Sequence, residues 1–161
     1  MIADAADGNG MIHLRCSRSV TEIVDRLESV LKDRGTRIFA RIDHSLAAAE
    51  AGISMRPMQV LMFGNPVVGT PMMIAAPTLG IDLPSKVLVW EDEAGTVWLT
   101  NNTTEYLKNR HGIPVSLISP LRGLTSVLDE VAKQQQPDSG ADWSDVICAE
   151  DRRHPQPVFW T

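Results

Sequence analysis

Apolar and polar residues alternate with a period of two at Met11 to Ser17, where Ile12, Leu14 and Cys16 oppose His13 and Arg15. The same period returns from Arg37 to Asp43, with Ile38, Ala40 and Ile42 on one side. Such alternation predicts strands that bury one face. Between these two runs the period lengthens to that of a helix. Val20, Ile23, Val24, Leu27, Val30 and Leu31 fall on one stripe, and Gly35 supplies a left-handed stop. Ser19 with Glu22 three residues on has the spacing of a capping box, in which each side chain satisfies the other residue's free backbone N–H.

An alanine-rich run from Leu46 to Ala51, closed by Gly52, predicts a short helix, and Met58 to Phe63, entered through Pro57, a third strand. Lys86 to Glu91 and Thr96 to Asn101 are β-rich runs joined by Asp92 to Gly95, the pattern of a hairpin that places Trp90 and Trp98 in one strand pair. Asn102 with Glu105 opens a short helix that Gly112 ends. Ser119 and Pro120 then start a second long helix with Leu121, Leu124, Leu128 and Val131 as its stripe, running to about Lys133. Two amphipathic helices need one apolar sheet face between them. The expected class is therefore α+β, an antiparallel sheet of about five strands with two long helices on one face, in the order strand, helix, strands, helix. Residues 1–10 are expected to be a flexible N-terminus, 11–134 a single domain, and 135–161 a tail whose Trp143, Ile147, Phe159 and Trp160 suit contact with the domain or a partner.

Composition narrows the function classes. A net charge of -5 without a concentrated cationic face disfavours nucleic acid and anionic membranes. The acidic start does not read as a secretory signal, and no apolar run approaches spanning length, so a soluble cytoplasmic protein is expected. Cys16 and Cys148 lie far apart with no CxxC spacing and read as idle thiols. His13, His44, His111 and His154 are too scattered for a known ligand pattern, so neither a metal nor a cofactor is expected.

The densest backbone-shaping chemistry is FGNPVVGTPMMIAAPTLGIDLP, Phe63 to Pro84. Asn65 and Pro66 suit a turn, while Thr70 as N-cap and Pro71 after it read as a helix start, preceded by Gly69. A helix start can attract a carboxylate or phosphate, although the phosphate-loop patterns are absent. Met55, Met58, Met62, Met72 and Met73 gather around the stretch, either filling a core or lining a pocket for an apolar ligand. Asp82 before Leu83 and Pro84 suits a loop anchor. His44 beside Asp43 could form a dyad or cap the next helix.

The runs RIFARIDHSLAAAEAG (37–52), FGNP (63–66), GTP (69–71), DLP (82–84) followed by KVLVWED, and NRHG (109–112) make the chain resemble the family called domain of unknown function 302. That resemblance spans about residues 11–133. It implies a fold similar to the TATA-binding-protein-like class, in the order strand, helix, four strands, helix, often as a dimer, and no established activity. Three readings stay open. The first is a non-enzymatic domain that binds a small molecule, an anionic ligand or a partner near His44, Asn65, Gly69, Thr70 and Asp82. The second is an enzyme using His44 and Asp82 as acid and base, its catalytic residues otherwise unknown. The third is a structural protein that forms a homodimer.

Overall fold

Six antiparallel strands lie side by side in the order β1-β2-β6-β5-β4-β3. They are β1 (Ala3–Asp4), β2 (Met11–Cys16), β3 (Arg37–Asp43), β4 (Met58–Gly64), β5 (Ser85–Glu91) and β6 (Val97–Asn102). Five helices complete the fold: α1 (Val20–Asp33), α2 (His44–Glu50), α3 (Pro66–Ala75), α4 (Thr104–His111) and α5 (Ser119–Lys133). Short 3-10 turns lie at Pro77–Ile81 and Val115–Leu117. The computed structural model describes residues 3–4 and 9–133. The expected tail, 135–161, falls outside the described residues. Within the stretch expected to be a loose end, Ala3 and Asp4 pair with Leu14 and His13, so the sheet gains a short sixth strand at its edge.

The two long helices form as their caps dictate. Ser19 Oγ accepts from the Glu22 backbone N–H at 3.4 Å, and Glu22 Oε2 accepts from the Ser19 N–H at 3.1 Å, closing the capping box that starts α1. Val20, Ile23, Val24, Leu27 and Leu31 then point inward, as do Val127, Leu128 and Val131 of α5. Both helices lie on one face of the sheet, α1 across β3 to β5 and α5 over β2. The strands meet them with Leu14, Leu61, Phe63, Val87, Val89 and Leu99, and these residues form the main core. Cys16 belongs to it, and burial pushes its thiol up to about 11, so at neutral pH it is a protonated apolar filler.

In β3 the expected alternation breaks. The pairing with β4 shifts between Ile38 and Ala40, leaving Phe39 in a bulge. Downstream of the bulge the faces exchange: Ala40 and Ile42 point away from the helices, opposite Met62 and Val60. Arg41 instead faces α1, where its guanidinium donates to Asp25 at 2.5 Å and to Gln59 at 2.9 Å. The tryptophans do share a face. Trp90 pairs directly with Trp98, on the face opposite the one that α1 and α5 bury. Asp92 holds the hairpin, accepting from Trp98 Nε1 at 2.8 Å and from the Thr96 and Ala94 N–H groups, and these bonds keep its carboxyl below the usual range.

A second, smaller core lies beside the first. Met72 and Ala76 of α3 and its C-cap, Leu79 of the 3-10 turn, Leu107 of α4, Ile113, Ile118 and Leu121 pack on one another as a separate cluster. The long connection between β4 and β5 thus has an interior of its own.

Candidate functional site

Where the two cores meet, they do not close. A recess of about 520 Å³ lies between the end of β4, α3, the start of β5 and α5. Its wall is mostly apolar: Leu31, Phe63 and Val127 come from the main core, with Leu124 of α5 packed against it, and Met72 and Leu121 come from the smaller one. The volume suits one small organic molecule.

The polar groups at its edge are few. Arg34, just past α1, lies 2.6 Å from Glu130 of α5, which balances the charge of the one charged side chain lining the recess among the described residues. Thr36, Thr70 and Ser85 contribute hydroxyls. Asn65 is the N-cap of α3, its Oδ1 accepting from the Val67 N–H at 2.9 Å. The Val68 and Gly69 N–H groups donate to the Asn65 carbonyl at 3.0 and 2.9 Å, and Pro66 has no N–H. The first turn of α3 therefore offers an anion no free donor.

That start also corrects the sequence expectation. The helix begins at Pro66, one turn before Thr70, and Pro71 stands inside it. Asn65–Pro66 and Thr70–Pro71 carry the same cap-then-proline signal, and the earlier one is used. Thr70 is consequently a mid-helix residue facing the recess, not an N-cap. A side chain at Gly69 would meet Leu83 Cδ1 at 3.5 Å and Met73 Cε at 4.0 Å, so its bareness keeps that wall thin.

Of the five residues singled out in the sequence, Asn65, Gly69 and Thr70 line the recess. His44 and Asp82 do not, and they are not brought together. His44 is the exposed first residue of α2, beyond Asp43, which pairs with Gln59, whereas the recess lies at the other end of β3, where Arg37 pairs with Gly64. The strand separates the two ends by about 20 Å. Asp43, not His44, does the local work: it caps α2, accepting from the Leu46 N–H at 2.9 Å and from Ser45 Oγ at 2.5 Å. Hydrogen bonds from Ser45 and then Leu46 hold its carboxyl below the usual range.

Asp82 has a partner that the sequence reading left unassigned. Its Oδ2 lies 2.7 Å from His111 Nε2, and His111 Nδ1 lies 2.9 Å from Thr78 Oγ1. The side chains of His111 and Asp82 are 3% and 9% exposed. A carboxylate only accepts, so Nε2 carries the proton, and in the neutral ring Nδ1 accepts from the Thr78 hydroxyl. Arg110 at 3.5 Å and Lys86 at 4.0 Å add positive charge around the carboxylate. This chain of contacts ties the 3-10 turn to the end of α4. None of its three members lines the recess, so it acts as a clamp on the connection.

The methionines divide between roles. Met72 and Met73 line the recess, Met58 and Met62 lie on the sheet face opposite α1 and α5, and Met55 is exposed. What the sequence reading missed is the contribution of α5 and of the α1–β3 turn. Leu124 and Val127 were legible only as an apolar stripe, which is the same whether a helix faces a core or a cavity. Among the described residues no group of three His, Cys, Asp or Glu side chains is placed to hold a metal ion, and no helix is long and apolar enough to cross a membrane.

The family model described as "Domain of unknown function DUF302" matches residues 12–131. The chain is 35% identical over 125 residues to proteins named "Fluoride-specific ion channel FluC 1" from Brucella suis biovar 1 (strain 1330) and Brucella abortus biovar 1 (strain 9-941). In both cases 78% of this chain is covered, but only 49% and 46% of those proteins, so the chain spans about half the length of the relatives it matches. A crystal structure of an uncharacterized conserved protein DUF302 from Bacillus stearothermophilus superposes with a TM-score of 0.64 at 20% identity, over 76% of this chain and 95% of that one. The latter likeness speaks to fold alone.

The clamp yields a coupling test. Asp82→Asn and His111→Ala should each lower stability by about 1–3 kcal/mol, the range for leaving a buried polar partner unsatisfied. The double variant should cost clearly less than the sum, measured by urea unfolding in a double-mutant cycle. Additive losses would show that the two side chains are not energetically linked.

Proposed function

The chain belongs to the family described as Domain of unknown function DUF302, and from that premise we propose that it is a non-enzymatic cytoplasmic binding domain for a neutral, largely apolar small molecule. The observation that carries the reading is the recess of about 520 Å³ at the seam of the two cores. Apolar walls favour ligand burial at roughly 25 cal/mol per Å² removed from water, while a few rim hydroxyls fix orientation. Neutrality follows from the donors. Arg34 has its charge balanced by Glu130, and the first N–H groups of α3 are engaged by Asn65, so an anion would meet neither an uncompensated positive charge nor a free helix start. Asn65, Gly69 and Thr70 remain ligand-facing residues in this reading, whereas His44 and Asp82 do not contact the ligand. The Brucella proteins are named as channels, but half their length lies outside the match, so the reading does not rest on that activity.

A second reading concerns the partner and is favoured by the apolar residues on the sheet face opposite α1 and α5. Ile42, Val60, Met62, Leu88 and Trp90 lie there, opposite the face that α1 and α5 bury. We infer that this face meets the same face of a second copy, since a two-fold interface places one patch against itself.

Two experiments test these readings. The neutral fluorophore N-phenyl-1-naphthylamine should bind saturably to the wild-type chain and to His44→Ala, and binding should be lost in Leu124→Trp, whose larger ring fills the recess. Equal binding in Leu124→Trp, or none in the wild type, would refute the site. Light scattering should report a dimer that Leu88→Glu converts to a folded monomer and that survives deletion of residues 137–161. A monomeric wild type, or a dimer lost with those residues, would refute the face.

A further inference from the structure

Asn101 occupies an inward position of β6. Val97 and Leu99 precede it in the same alternation, and it pairs with Ile12 across the sheet. A polar side chain therefore stands where the strand otherwise supplies core. It is 8% exposed. Its Nδ2 donates to the Asn102 carbonyl at 3.0 Å, while its Oδ1 is buried with no donor in reach among the described residues. Turning the amide round would set its oxygen against that carbonyl and strand the nitrogen, so the orientation is fixed by its one bond. Buried amide oxygens without a donor are uncommon in folded proteins and call for an account.

The surroundings supply one. Asn101 lines a chamber of about 20 Å³, together with Ser85, Thr104 and Thr125, whose hydroxyls can donate or accept, and with Leu121 and Leu124. A single water needs about 10–15 Å³ measured in this way, and it needs two to four polar partners. The chamber meets both requirements and is too small for an organic ligand. Ser85, Leu121 and Leu124 also line the large recess, so the chamber lies directly behind that wall.

We propose that this chamber is a buried water site, in which one water molecule donates to Asn101 Oδ1 and bonds to the hydroxyls around it. The water links the end of β6 and the start of α4 to the start of β5 and to α5. It completes the back wall of the recess from behind and is independent of any ligand in front.

The test is detection of the water itself. In the folded wild-type chain, through-space NMR transfer from a long-lived water to the Leu121 and Leu124 methyl groups is expected, with a matching crystallographic density peak within hydrogen-bond distance of Asn101 Oδ1. Asn101→Leu should abolish both signals while leaving N-phenyl-1-naphthylamine binding at the recess in place. Absence of transfer and of density in the wild type would overturn the proposal whether or not the variant folds. Persistence of the water signal in Asn101→Leu would overturn it as well. Should Asn101→Leu fail to fold, Thr125→Val, which removes one hydroxyl of the chamber, should weaken the signal, and an unchanged signal there would count against the site.

Discussion

The fold depends on one sheet face being buried by two helices that cannot cover all of it. α1 spans β3 to β5 and α5 sits over β2, and their inward residues make a continuous core with the strands. The connection from β4 to β5 is too long to be a turn and too apolar to stay in solvent. It folds instead onto α4 and the start of α5 and forms its own core around Met72, Leu79 and Ile118. Two cores that share α5 but are seeded by different elements leave a seam, and the recess is that seam. Interiors are close-packed when one set of side chains interdigitates; a boundary between two sets is where space survives.

Position along the connection is then set by polar contacts. The Asn65 cap fixes where α3 leaves β4. At the far end the buried Asp82–His111 contact fixes the 3-10 turn on α4 before the chain re-enters the sheet at Ser85. Between these anchors α3 is held at a distance from the sheet by the residues it packs on, with Gly69 and Thr70 on the side facing the opening. The Asn65 cap is exposed, whereas the Asp82–His111 contact joins side chains with little exposure, and a bond of that second kind is costly to leave unmade.

Much of this was legible in the sequence. The capping box of Ser19 and Glu22, the stripes of both long helices, the hairpin around Asp92 and the places of the main strands along the chain follow from local periodicity and turn chemistry, which act over a few residues. The similar alternation of β2 and β3 suggests neighbours, whereas the sheet sets them apart, β2 beside β6 and β3 beside β4. The first strand was not legible, because two residues carry no period. Its pairing is set by the neighbour, Leu14 and His13. The face exchange in β3 was hidden because a bulge is a property of pairing with β4, not of the run itself. In α3 two equivalent start signals competed, and tertiary packing chose the first. Of the site, the sequence pointed to Asn65, Gly69 and Thr70, since shaping residues mark irregular backbone. It could not pair Asp82 with His111 across 29 positions, nor separate His44 from the recess, because both facts belong to topology.

If the seam is a real opening, a small inert probe must enter it. Dissolved xenon, which has no charge and asks for no hydrogen bond, should shift the methyl resonances of Leu31, Met73, Leu124 and Val127 while leaving those of Leu27 and Val89, deep in the main core, unmoved. Unchanged shifts at the first four methyl sets, or equal shifts in both groups, would mean that the two cores close against each other and that the chain has no such recess.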